Sequence, residues 1–101
     1  MSNLTEVLIL LPVEDDNVEI ISRINEFAMF VSCDDKTLPK GWYGGTKMLG
    51  SGVLLGVHNH LDIKSFIKYL GSVNFKDSEN VQLLYRKEDM ESFALVQLER
   101  K

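Results

Sequence analysis

Hydrophobic residues recur along this chain with two periods, one typical of strands and one typical of helices. Residues 5–11 predict a strand, and the continuous apolar run over residues 7–11 predicts that it is buried on both faces. Pro12 is expected to end this strand, because proline cannot donate to the hydrogen-bond ladder. A first helix is predicted next, with Asp16 or Asn17 as its N-cap. Its buried face is predicted from the helical spacing of Ile20, Ile21, Ile24, Phe27 and Ala28.

The middle of the chain lacks a clear period until residue 46. Residues 31–45 are rich in glycine and predict a long loop, which tends to be functional or mobile. Residues 46–49 and 52–60 are predicted to pair as a hairpin about Gly50-Ser51, and one long bulged strand over 46–60 is the alternative. Alternation in this stretch places Val53, Leu55, Val57 and Leu61 on one face and Leu54, Gly56, His58 and His60 on the other. A glycine inside a strand, as at 56, indicates a bulge or the close approach of another group.

The last third of the chain predicts a second helix and two strands. Asp62 is the expected N-cap of a helix over residues 63–70, with Gly71 as its stop. Alternating residues 81–86 predict a strand. The apolar run within 93–98 predicts a final strand, although residues 89–98 also fit helical spacing.

Taken in order, these elements predict an α+β fold formed by βαββαβ with an appended C-terminal strand. Two helices on one face of an antiparallel sheet form a two-layer, ferredoxin-like sandwich. The whole chain, residues 1–101, is expected to be a single domain, because one hydrophobic core serves a chain of this size. Many unrelated functions occur on this fold, so the fold alone does not indicate what chemistry the protein performs.

Composition points to a cytoplasmic globular protein. Apolar residues make up 45% and charged residues 26% of the chain, as in ordinary globular domains. No window approaches the ~20 apolar residues of a membrane span, and the first residues lack the basic start of a signal peptide. Cys33 is the only cysteine, which excludes an internal disulfide and a cysteine-based zinc cluster.

The charge is negative and unevenly distributed. A net charge of −4 argues against nucleic-acid binding, which requires clustered Lys and Arg. Residues 1–40 hold eight acids and three bases, whereas residues 41–101 hold seven acids and eight bases. The acidity therefore belongs to the first part of the chain.

This acidity accompanies a pair of aromatic residues. Trp42 and Tyr43 lie between glycines and either cover the core or anchor a protein interface. The acidic side chains expected to share that interface are Asp15, Asp16, Glu19, Asp34 and Asp35. An acidic surface of this kind suits a basic protein partner, because it speeds encounter and sets specificity.

His58 and His60 are the other candidates for chemistry. On a strand they share a face, which would allow a general base or a ligand pocket under the 31–45 loop. No third and fourth ligand is evident, so neither a metal nor another cofactor is expected.

Three segments resemble a pattern in small bacterial proteins, some of which resemble immunity proteins of secreted-toxin systems. They are Gly44-Gly45-Thr46-Lys47, Asn59-His60-Leu61-Asp62, and the run from Glu79 to Tyr85. The resemblance covers about the second half of the chain, and its motifs are structural. It implies a non-catalytic protein that neutralises a basic toxin domain by masking its active site. The alternative is a small enzyme or ligand-binding protein that uses the two histidines, and a homodimer is a further expectation.

Overall fold

The computed structural model describes residues 3–33, 51–96 and 98 of the chain. It shows an α+β fold in which two helices accompany a five-stranded antiparallel sheet with the strand order β2-β3-β1-β4-β5. The elements are β1 (Leu4–Pro12), α1 (Val18–Asn25), β2 (Val31–Cys33), β3 (Ser51–Asn59), α2 (Ile63–Ser72), β4 (Gln82–Lys87) and β5 (Ala94–Val96). The predicted α+β class, antiparallel sheet and pair of helices are confirmed.

Strand β1 lies at the centre of the sheet and is buried on one face. It pairs with β3 from Leu4–Asn59 to Pro12–Ser51, and with β4 on its other side. Its odd-numbered residues are fully buried, whereas the leucines at 8 and 10 are only half-buried. The predicted burial on both faces is therefore wrong, because both helices cover the same face.

The helices share one hydrophobic core and contact each other. Ile24 of α1 and Phe66 of α2 are fully buried in the cluster that contains the odd-numbered face of β1. The rings of Phe27 and Phe66 lie 5.3 Å apart, and the Tyr69 hydroxyl donates a 2.6 Å hydrogen bond to the carbonyl of Arg23. These contacts fix the two helices side by side on the sheet.

Side-chain caps define where both helices begin. Of the two predicted caps for α1, Asn17 accepts the Ile20 N–H at 3.0 Å. Asp62 accepts both the backbone N–H and the hydroxyl of Ser65, and these bonds lower the pKa of its carboxyl. The predicted stop at Gly71 is wrong, because α2 continues through it to Ser72.

The strands differ from the predictions at two places, residues 31–33 and Gly56. Residues 31–33, predicted as loop, form edge strand β2, which pairs with β3. The predicted arm at 46–49 lies outside the described residues. Strand β3 pairs with β1 through nine consecutive residues, so the predicted bulge at Gly56 is wrong. Strand β5 confirms a strand within 93–98 and overturns the helical alternative there.

Asp15 anchors the end of β1 to the loop that precedes β4. Its carboxylate is fully buried and accepts the backbone N–H groups of Lys76 at 2.7 Å and Asp77 at 2.9 Å. A carboxylate suits this position because each oxygen satisfies one donor that water reaches poorly.

We expect Asp15→Ala to lower the free energy of unfolding by about 2–4 kcal/mol, because it leaves both N–H groups without an acceptor. Glu14→Ala removes a neighbouring exposed carboxylate and should change stability by less than about 0.5 kcal/mol. Urea unfolding of the two variants measures the difference, and equal losses would contradict the anchoring role.

Candidate functional site

Three of the exposed acidic residues lie where the chain leaves β1 and enters α1. A short 3-10 turn, Val13–Asp15, leads to the Asn17 cap, and the side chains of Glu14, Asp16 and Glu19 are exposed around it. These positions follow from helix chemistry, because acidic groups are stabilised at a helix N-terminus. We call Glu14, Asp16, Val18 and Glu19 the acidic surface.

An apolar residue lies within the acidic surface. Val18 is 82% exposed, although it is the first residue of α1. It borders a shallow depression between α1 and residues 74–76, to which Glu19, Asn74 and Lys76 also contribute. An exposed apolar side chain among charged ones is the arrangement found at the centre of many protein interfaces.

Asp16 also has a close structural neighbour. A Cβ atom at Gly52 of β3 would lie 2.6 Å from the Asp16 carboxylate. The glycine therefore lets the carboxylate lie directly against the strand, which holds the start of α1 close to the sheet.

The predicted acidic and aromatic residues are only partly brought together. Asp16 and Glu19 lie on the acidic surface, but Asp15 is buried and does not contribute to it. The reason is that its carboxylate is used to satisfy backbone donors. Asp34, Asp35, Trp42 and Tyr43 lie outside the described residues. The interface residues predicted from the sequence did not include Val18. Its position outside the apolar stripe formed by Ile20 and Ile24 was a signal that its side chain is exposed.

His58 lies on the core-facing side of β3, against an aromatic ring. Its imidazole is 5.0 Å from the ring of Phe30 at an interplanar angle of 63°. The Nε2 atom is buried and has no hydrogen-bond partner among the described residues. Burial lowers the pKa of His58 below its ordinary value of 6.5, because the charged imidazolium loses hydration there.

His60 lies beyond the end of β3 and does not share a strand face with His58. Its backbone adopts a left-handed conformation with φ of 61°, and its N–H donates to the carbonyl of Asn3 at 2.9 Å. Its side chain is exposed. The expected common face is therefore wrong, because the chain turns after Asn59.

The described residues contain neither a group of metal-ligating side chains nor a helix that could span a membrane. Within residues 3–33 and 51–96, no three His, Cys, Asp or Glu side chains are grouped to hold a metal ion. The helices described there have eight and ten residues, and neither is long and apolar enough to cross a membrane.

Searches against protein-family models, curated proteins and solved structures found no match to this chain. The site must therefore be interpreted from its own geometry.

Gly56 is explained by the second of its two predicted roles, close approach of another group. A Cβ atom there would lie 2.5 Å from the His58 Nε2 atom and 3.0 Å from the Phe30 ring. We expect Gly56→Ala to cost about 1–3 kcal/mol of unfolding free energy through overpacking.

Gly71→Ala is the matched control for this prediction. A Cβ at Gly71 meets no described atom within 4 Å, and the residue lies in helix α2. This variant should gain about 0.5–1 kcal/mol, because alanine favours the helix. Thermal unfolding of both variants gives the comparison, and a neutral Gly56→Ala would disprove the contact.

The lowered pKa of His58 predicts that stability falls under mildly acidic conditions. As the pH falls through 6.5, the unfolded chain takes up a proton before the folded chain does, so the free energy of unfolding decreases. The contribution of the neutral His58 imidazole to the free energy of unfolding is fully present above pH 6.5 and is lost progressively below it.

His58→Leu should flatten this dependence, whereas His60→Gln removes an exposed imidazole and serves as the control. Urea unfolding at a series of pH values measures both. The explanation fails if the two variants keep the same slope below pH 6.5.

Proposed function

We propose that this protein is a non-catalytic binding module that recognises a basic protein surface. The observation that carries the proposal is the acidic surface, in which Glu14, Asp16 and Glu19 are exposed around the 82%-exposed Val18. The acids attract and orient a basic partner, and the valine supplies apolar contact at the centre.

The proposed class of partner rests on the resemblance of three sequence segments to small bacterial proteins, some of which resemble immunity proteins of secreted-toxin systems. The proposed partner is a toxin domain whose active site is lined by Lys or Arg. An inhibitor that covers such a site needs complementary charge, but it does not need a catalytic group. Within this proposal the protein acts in the cytoplasm, which the lone Cys33 favours.

The proposed fold type is the ferredoxin-like sandwich. Counted from its β5 edge, the sheet has the order 5-4-1-3-2, in which β3 separates β1 from β2, and β1 separates β3 from β4. The units β1-α1-β2 and β3-α2-β4 are therefore interleaved in the sheet, and this arrangement supports a ferredoxin-like fold. The fold presents the start of α1 at one end of the sheet, where a partner meets it without displacing the core.

The alternative function, a small enzyme or ligand-binding protein that uses His58 and His60, has weaker support. His58 packs against Phe30, and its buried Nε2 lies close to Gly56. The exposed His60 lies beyond the strand. The two imidazoles therefore do not form the shared strand face on which that function depended.

Reversing charge on the acidic surface should abolish binding. The double variant Glu14→Lys/Glu19→Lys is expected to lose the partner, because like charges repel across the interface. A matched control is Glu91→Lys, which changes an exposed acid in the turn between β4 and β5. Affinity purification from the cells that make the protein is followed by mass spectrometry. The candidate partners are the proteins that the wild type and the control both retain and that the double variant does not.

The candidate partner is then produced with and without this protein, and cell growth is measured. Growth should recover with the wild type and the Glu91→Lys control, but fail with the double variant. Equal retention and equal growth for all three proteins would reject the acidic surface as the binding site. Retention of a partner that has no effect on growth would reject the immunity role and leave the binding role in place.

A further inference from the structure

The face of the sheet opposite the helices is apolar across its whole width. Strand register places Val31, Leu55, Leu8, Leu84 and Leu95 in one row that crosses all five described strands. Even-numbered residues of β1 point to this side, because the odd-numbered ones face the helices. We call this side of the sheet the open face.

The open face exposes more apolar surface than scattered residues would. The most exposed side chains in its strands are Val31 at 69%, Val57 at 64%, Leu95 at 59% and Leu55 at 40%. With Phe93 and Leu4 at its margins, these fractions leave on the order of 600 Å² of apolar side chain open. A stable complex buries ~800 Å² on each partner, of which these side chains would supply about three quarters and the half-buried leucines and polar groups of the same face the rest.

The charges on the open face compensate each other. Among residues of the five described strands, those pointing to this side with a charge are Glu6 and Arg86. The Arg86 guanidinium donates to both Glu6 carboxylate oxygens, at 2.9 and 3.0 Å, and lies over the Phe93 ring. The charged strand residues of this face therefore compensate each other, although the chain as a whole carries −4.

We propose that the open face binds a second copy of this chain, face to face about a two-fold axis. A two-fold interface requires a self-complementary surface, and the Glu6–Arg86 pair satisfies this because each group can meet its opposite on the other copy. The paired strand charges of this face offer a basic partner no unpaired acid, whereas two such sheets stack at ~10 Å and bury their leucine rows in one core. The resulting dimer has four layers, with helices outside and two sheets inside.

The dimer leaves the acidic surface free. That surface lies at the start of α1, in the helical layer, and the proposed contact lies on the other side of the sheet. Each dimer would therefore present two acidic surfaces, and self-association does not depend on the function proposed above.

Sedimentation equilibrium of the full chain at about 100 µM tests the proposal, because self-association depends on protomer concentration. The wild type should have twice the 11.5 kDa mass of one chain. Val57→Lys and Leu95→Glu place charges of opposite sign on exposed positions of the open face. Each should weaken association roughly tenfold or more, because a charge is buried without a partner.

Val18→Glu is the matched control, since it introduces a charge at an exposed valine in the helical layer and should remain dimeric. Circular dichroism establishes that each variant is folded. A monomeric wild type would overturn the proposal outright. Folded open-face variants that remain as dimeric as the control would overturn it as well, by showing that the contact lies elsewhere.

Discussion

Burial of one face of β1 beneath both helices is the interaction on which the rest of this structure depends. Val7, Ile9 and Leu11 are at most 1% exposed, and they meet Ile24 from α1 and Phe66 from α2 in a single cluster. Because β1 also forms hydrogen bonds with β3 and β4 on its two sides, the same strand organises both the sheet and the core. Removal of apolar area from water drives this arrangement, and the ladder satisfies the polar backbone that is buried with it.

The two sides of β3 show how the core shapes its neighbours. Its core-facing side carries Gly56 and His58, whereas its outward side carries leucine and valine residues that remain partly exposed. The glycine is required because the aromatic ring of Phe30 and the imidazole occupy the space that a larger side chain would need. The core-facing position also buries the imidazole, which lowers the pKa of His58 and couples stability to pH.

The acidic surface and the open face of the sheet differ in chemistry and in location. One combines like charges with a single exposed valine, and this suits a partner of opposite charge. The other combines an apolar row with one internally neutralised ion pair, and this suits a copy of itself. The two proposed interactions therefore use different surfaces and different chemistry.

Local patterns in the sequence determined the elements that depend on neighbouring residues. The Asp62 cap and both helices were predictable, because capping and amphipathic spacing act within a few residues. The Asn17 cap and the strand at 94–96 were each one of two alternatives that the local pattern allowed. Tertiary structure alone decided the features that join distant parts of the chain. It made residues 31–33 a strand by pairing them with β3, buried Asp15 against the N–H groups of residues 76 and 77, and turned the more apolar side of β3 outward. Such choices depend on which surface the helices cover, and periodicity along a chain carries no information about that.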